Sequence, residues 1–377
     1  MKGKQGMVCM GLLLVLSSCH TGKQITASGL QRKDFQTEVN GQHTDLFTLS
    51  NKQGMEVCIT NYGARVVSIL VPDRNGKRED VVCGFSTITE YMEQRQNFGS
   101  TVGRYIGRIL NARFTLDGVE YKLVPNNGKS GHISHGGNPG FADRIWKVEQ
   151  ADTHRVRLSY LSPDGENGFP GNLKVTLVYS LGEDDNALDL TYEATTDAPT
   201  VLNLSHHSFF NISGNFTKSV EDQQLWVDAD RITPYDDKKC VTGEYLQVAG
   251  TPLDFRMPHA IGECIDADHP QLKVVNGYDH TWELNTKGDD TRPAAWVYDP
   301  ASGRKMEIFT TEPGMQIYTG NGLKGKMTGK RGIAYPFRSA VCFETMHFQD
   351  SPNQPGFPST VLRPGEVFRS HTVYKFE

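Results

Sequence analysis

From about residue 36 to the C-terminus the dominant pattern along the chain is a period-two alternation of apolar and polar residues. It is clean over Arg155-Val156-Arg157-Leu158-Ser159-Tyr160-Leu161, over Leu173-Lys174-Val175-Thr176-Leu177-Val178-Tyr179, and again over Leu188-Asp189-Leu190-Thr191-Tyr192. Pro163-Asp164-Gly165 and Gly182-Glu183-Asp184-Asp185-Asn186 supply turn chemistry between these runs. Alternation sends successive side chains to opposite faces of a strand, so the pattern predicts half-buried antiparallel strands joined by hairpins. Nowhere is there a long i, i+3, i+4, i+7 pattern; Ser86 to Gln96 predicts one short helix and Pro258 to Asp268 a second. Internal repeats and low-complexity linkers are absent. The expectation is a single all-β domain over 36–377, a large antiparallel β-sandwich of many strands.

The N-terminus departs from this pattern. MKGKQGMVCMGLLLVLSSCH opens with Lys2 and Lys4 and continues into an apolar stretch, Met7 to Leu16, too short for a mature membrane span. Its end, Leu16-Ser17-Ser18-Cys19, resembles a bacterial lipobox, in which the cysteine is lipidated and becomes the new N-terminus. Residues 1–18 are therefore read as a lipoprotein signal peptide. Residues 19–35, polar and aperiodic, are read as a flexible tether. The expected location is the bacterial cell envelope, periplasmic side, with the membrane reached only through the lipid anchor.

Composition narrows the partners. Lys and Arg number 39 against 44 Asp and Glu, with no basic stripe, which excludes nucleic acid as an expected partner. Of the 7 cysteines, Cys9 and Cys19 belong to the leader. Cys58, Cys83, Cys240, Cys264 and Cys342 show no CxxC spacing, and a domain this large needs no disulfide framework, so buried free thiols are expected. The sequons at Asn203, Asn211 and Asn215 carry no weight in a bacterial chain.

The candidate chemistry centres on NLSHHSFFNIS, residues 203–213. Read as a strand, Leu202, Leu204, His206, Ser208 and Phe210 share a core-like face, while Val201, Asn203, Ser205, His207 and Phe209 share the other. Amides, hydroxyls and one aromatic ring suit a sugar, so periodicity leans toward His207 and leaves His206 as a satisfied, semi-buried histidine. GHISHGG, residues 131–137, offers HxxH spacing, yet its glycines argue for a loop and not a helical zinc site. In TVGRYIGRILNARF, residues 101–114, the phosphate-loop pattern is absent, and the plain reading is a Gly-spaced strand with solvated arginines. NGYDHTW, residues 276–282, sets an aspartate beside a histidine. Glu344 follows the apolar run Ala340 to Phe343, so its carboxylate is either paired or altered in proton affinity.

Together, GRYIGRI, SHGG, NLSHHSFFN, NGYDH, PGMQIYTGN and CFET…NQPGFP resemble the aldose 1-epimerase (galactose mutarotase) family, in the family's order. The resemblance runs from Asn61-Tyr62-Gly63-Ala64 to Leu362-Arg363-Pro364-Gly365. It implies a galactose mutarotase-like β-supersandwich, a monomer or weak dimer, that interconverts the α and β anomers of free aldohexoses such as galactose and glucose. Carried over by position, it implies His207 as general acid and Glu344 as general base. Arg108 and His135 would hold the sugar ring, Asp279 would anchor hydroxyls, and Gln316 lies on the site strand. Phe209 stands where many members carry tyrosine and Gly107 where many carry asparagine, which implies one hydroxyl and one amide contact fewer. His206 holds a position often taken by asparagine. Some members bind calcium, but no EF-type loop is present, and no metal is predicted.

Anomer exchange opens a hemiacetal: a base takes the C1 hydroxyl proton while an acid protonates the ring oxygen. After rotation about C1–C2 the roles reverse on closure. A carboxylate and an imidazole suit this, and no cofactor is required. The contrasting expectation is a non-catalytic carbohydrate-binding lipoprotein on the same fold. A polysaccharide lyase or hydrolase is disfavoured by only 4 tryptophans, and a sugar-phosphate enzyme by the lack of a basic cluster.

Overall fold

A computed structural model describes residues 24–377. The alternating runs pair as antiparallel neighbours: Arg155–Ser162, Leu173–Leu181 and Ala187–Thr196 lie side by side, and Phe368–Phe376 continues the sheet. They belong to a nine-stranded sheet that also holds two strands from the C-terminal half, Lys305–Thr310 and Ala295–Tyr298. In Leu173–Leu181 the odd-numbered side chains are buried and the even ones partly or fully exposed, as alternation requires of a sheet with one wet face.

A six-stranded sheet faces the same core. Its order is Phe209–Phe210, Val341–Met346, Gly314–Tyr318, Asp279–Glu283, Arg231–Thr233 and Leu246–Gln247. A four-stranded sheet, Leu46–Ser50 to Arg78–Asp80, adds Val57, Ile59, Val66 and Ile69 to that core. Leu158, Leu177, Leu190 and Tyr374 meet Phe210, Ile317 and Phe343 there, so the sheets share one apolar interior, the layering of a sandwich. The all-β expectation is met.

Every residue of Val341–Met346 is buried. Val341 and Phe343 face the core, so Cys342, Glu344 and Met346 are buried on the opposite side, beneath loops and not water. That second burial makes an enclosed polar floor possible.

Three expectations meet the structure differently. The short helix is present as Ile88–Gln94, because Thr87 caps it and Glu90 closes the capping box. The second helix is not at 258–268 but at Pro270–Val275. The chain at Gly262 instead runs against residue 221, with Gly262 N donating to Glu221 O at 2.9 Å, and Pro270 supplies the true first-turn proline. Nor do residues 24–35 form a tether. Leu30 and Phe35 are buried in an apolar cluster, and Ala27 N and Ser28 N donate to the Glu56 carboxylate. Residues 24–35 are therefore part of the folded unit, and residues 1–23 lie outside the described residues. Polar composition hid this because two apolar anchors suffice to dock a short segment.

A chain starting at residue 36 should consequently be less stable than one starting at 24. Burying one such side chain is worth about 1.5–3 kcal/mol, so calorimetry should show a melting temperature lower by several degrees. Equal melting of the two chains would show that the segment contributes nothing.

Among the described residues the cysteines are free: Cys58, Cys83 and Cys342 are buried, Cys240 and Cys264 half-buried.

Candidate active site

The register of the six-stranded sheet sets out the pocket floor. Thr281 lies opposite Gln316, which lies opposite Glu344. In the next row Asp279 lies opposite Tyr318, Tyr318 opposite Cys342, and Cys342 opposite Phe209. Residues two apart on a strand share a face, so both rows project to the same side. His207 arrives from the strand Ser205–His207, which pairs with Ser100–Val102. Arg108 and His135 come from loops and short strands above the floor. The result is a cavity of about 250 Å³ lined by Gly107, Arg108, His135, His207, Phe209, Asp279, Gln316 and Glu344. All the site residues expected from sequence thus converge, Cys19 apart, which lies outside the described residues.

His207 and Glu344 are in direct contact, Nε2 to Oε1 at 3.3 Å, and both are almost fully buried. Burial is the main influence on each. It pushes Glu344 well above the usual carboxylate range, with Asp279 adding repulsion. It pushes His207 well below the usual imidazole range, with His135 and His206 adding to the effect. Burial therefore disfavours the charged form of both partners, and the two titrate as a coupled pair and not as independent groups. His207 Nδ1 has no hydrogen-bond partner, so no protein contact there fixes the tautomer, and Nε2 is able to donate or accept. Phe209 stacks on the His207 ring, centroids 5.0 Å apart and planes within 9°. It holds the imidazole plane as well as lining the cavity.

His206 points the other way. Its Nε2 lies 2.6 Å from Ser208 Oγ and its Nδ1 3.4 Å from Tyr179 Oη, beside Tyr374. Burial lowers its pKa to about 3, so it is a neutral core residue. Alternation places this pair of histidines correctly and misplaces two neighbours. Asn203 engages the His347 backbone, and the Ser205 hydroxyl is buried without a partner; neither reaches the cavity.

His135 sits on the glycine loop with φ +52°. Gly107 N donates to its Nδ1 at 3.4 Å, which places the ring proton on Nε2. Burial, reinforced by Arg108, lowers its pKa to about 4, so it is a neutral donor at pH 7. Gly136 is required here: φ is +79°, and a Cβ would meet Gly103 O at 2.0 Å. Asp279 accepts from Gln316 Nε2 at 2.7 Å, and its pKa is raised by burial, with Arg108 opposing.

The plain reading of two solvated arginines is wrong for Arg104. It is 2% exposed and donates to Ser162, Pro170 O and Gly171 O, tying the neighbouring loop to the site segment. Sequence reasoning also missed Gln96, Asn97, Ser134, Tyr318, Met346 and Gln349, all of which line the cavity. Tyr318 and Met346 were findable as the i+2 neighbours of Gln316 and Glu344.

Among the described residues, His207, Cys342 and Glu344 bring one ligand atom each within 4.8 Å of one another and form a group that could hold a metal ion. Burial raises the Cys342 thiol well above its ordinary range, so a metal there would have to displace that proton.

A buried acid–base pair beside an arginine, a neutral histidine and a carboxylate fits a polyhydroxylated neutral ligand that exchanges protons. The sequence profile of the aldose 1-epimerase family matches residues 45–375. The chain belongs to that family. It is 40% identical to the galactose mutarotase of Bos taurus over 331 residues, covering 88% of this chain and 93% of that one. It is 36% identical to the aldose 1-epimerase of Escherichia coli K12 over 340 residues, covering 89% and 96%. Among solved structures, an aldose epimerase homologue from C. elegans superposes with a TM-score of 0.81 at 30% identity, covering 89% of this chain and 99% of that one. The galactose 1-epimerase of Lactobacillus acidophilus NCFM gives 0.78 at 28%, covering 90% and 96%. The aldose 1-epimerase fold and activity, those of an isomerase, are therefore those of this chain.

Proposed function

We propose that the protein equilibrates the anomers of free aldohexoses such as galactose and glucose, with Glu344 as base and His207 as acid. The observation that carries this reading is the 3.3 Å contact between the two groups in a buried cavity. With the pair's one proton on His207 Nε2, the Glu344 carboxylate takes the C1 hydroxyl proton. The imidazolium then protonates the ring oxygen, and the C1–O5 bond breaks to give the open aldehyde. Closure on the other face returns both protons. Proton transfer of this kind contributes about 10²–10⁴-fold. Arg108 and the Nε2–H of neutral His135 stabilise negative charge on sugar oxygens, and Asp279 with Gln316 accepts and orients hydroxyls. The chemistry runs on side chains alone and calls for no cofactor, calcium included.

Each chain carries a whole cavity, so a monomer suffices. Adding the protein to freshly dissolved α-D-galactose should speed the change in optical rotation toward equilibrium. An unchanged rate, with sugar binding intact by calorimetry, would indicate a carbohydrate-binding protein without turnover.

We further propose an exported, lipid-anchored location. Leu-Ser-Ser-Cys after an apolar stretch supports removal of residues 1–18 and lipidation at Cys19 in the cell envelope. No helix among the described residues is long and apolar enough to cross a membrane. Labelled palmitate should enter the wild type and not Cys19→Ala; equal labelling would refute the anchor.

A further inference from the structure

The cavity wall beside Arg108 is made by two residues that share one space. Gly107 has φ +75°, and a Cβ built on it would lie 2.5 Å from Gln349 Cγ and 3.0 Å from its Cδ. Gln349 is 5% exposed and lines the cavity. Its amide is engaged at both ends. Oε1 accepts from Arg108 N at 3.3 Å, while Nε2 donates to Tyr235 Oη at 2.7 Å and to Gln316 Oε1 at 3.3 Å. Gln316 Oε1 also accepts from Thr281 Oγ1, and Gln316 Nε2 holds Asp279 Oδ1 at 2.7 Å. One amide thus links the backbone under Arg108 to the side chain that fixes Asp279.

We propose that Gln349 is a positioning and specificity-determining residue of this site. It fills the volume that Gly107 leaves open and holds Arg108, Gln316 and Asp279 in the register that receives the sugar hydroxyls. Both amide hydrogens have protein partners, so toward the sugar Gln349 is a wall and not a donor. Its hydrogen bonds run to Arg108, Tyr235 and Gln316, and none to His207 or Glu344. Its effect therefore falls on binding more than on proton transfer. The glycine and the glutamine form one unit: a side chain at 107 is excluded as long as Gln349 is present.

This role rests on the aldose epimerase reading, so wild-type turnover of α-D-galactose is measured first; its absence would count against that reading alone. With an active wild type, Gln349→Leu and Gln349→Ala should raise KM on the order of tenfold, the scale of one or two hydrogen bonds lost in a buried site. In both variants kcat should change much less. Leucine keeps the bulk and loses the hydrogen bonds, which keeps the test informative if alanine unfolds the site. Gly107→Asn, chosen because asparagine tolerates positive φ, should lose kcat/KM through collision with Gln349. Adding Gln349→Ala to it should restore kcat/KM about tenfold or more over Gly107→Asn, a non-additivity expected only of residues that compete for one space. Additive losses, or a fall in kcat with KM unchanged, would overturn the proposal. So would a lowered melting temperature with unaltered kinetics, which would mark Gln349 as merely structural.

Discussion

His207→Asn should lower kcat by about 10²–10⁴, the range supplied by a positioned acid or base, while His206→Asn leaves kcat nearly unchanged. The two histidines are chain neighbours with similar burial, so the contrast isolates direction from environment. His207 Nε2 meets Glu344, its ring lies flat on Phe209, and His135 stands edge-on with centroids 5.6 Å away. Asparagine cannot carry a proton between Glu344 and a sugar oxygen, and among the described residues no other basic group pairs with that carboxylate. His206 is spaced from the cavity by its own strand, and its contacts with Ser208 and Tyr179 are structural. Losing them should cost about 1–3 kcal/mol of stability, read as an earlier melting transition. His135→Asn should fall between, because the neutral Nε2–H is lost as a donor while the acid–base pair stays. Rates would be followed by polarimetry with α-D-galactose. Equal losses in the His206 and His207 variants would show that the strand faces are assigned wrongly.

That contrast was legible because period-two alternation is a strict geometric rule, and a strand separates adjacent residues onto opposite faces whatever surrounds it. Glu344 was legible for a related reason: a carboxylate inside an apolar run signals burial. What alternation does not encode is which strands become neighbours. The rows Thr281–Gln316–Glu344 and Asp279–Tyr318–Cys342 exist only through pairing between distant segments, and Gln349 went unseen because its partners Arg108, Tyr235 and Gln316 are equally distant in the chain. Arg104 was misread because charge suggests solvent, whereas this guanidinium finds backbone carbonyls enough to stay buried, with its pKa lowered to about 10. The helix at 258–268 failed because proline marks a possible start and not a real one; the chain used Pro270. Residues 24–35 looked like a tether because composition averages over the two side chains that anchor them.

Glu344→Gln should abolish turnover while sugar binding remains measurable, and the pH profile explains why. The active pair must hold one proton, so that one partner gives while the other takes. At acid pH the pair gains a second proton and no base remains; at alkaline pH it loses its only proton and no acid remains. The wild-type kcat/KM should therefore rise and then fall with pH. Free side chains would put the acid limb on the carboxyl and the alkaline limb on the imidazole. Burial opposes that separation, raising Glu344 and lowering His207. Both limbs nonetheless report the pair and not either residue. In Glu344→Gln the remaining imidazole, lowered by burial, is uncharged near neutrality and has no partner to exchange with. The loss should be about 10²–10⁴-fold or more, and any residual rate should lack the two-limbed pH profile that the coupled pair provides. The amide preserves shape, and Arg108, Asp279 and Gln316 are untouched, so galactose binding should persist in calorimetry. A Glu344→Gln protein that equilibrates α-D-galactose at the wild-type rate would remove Glu344 from the mechanism.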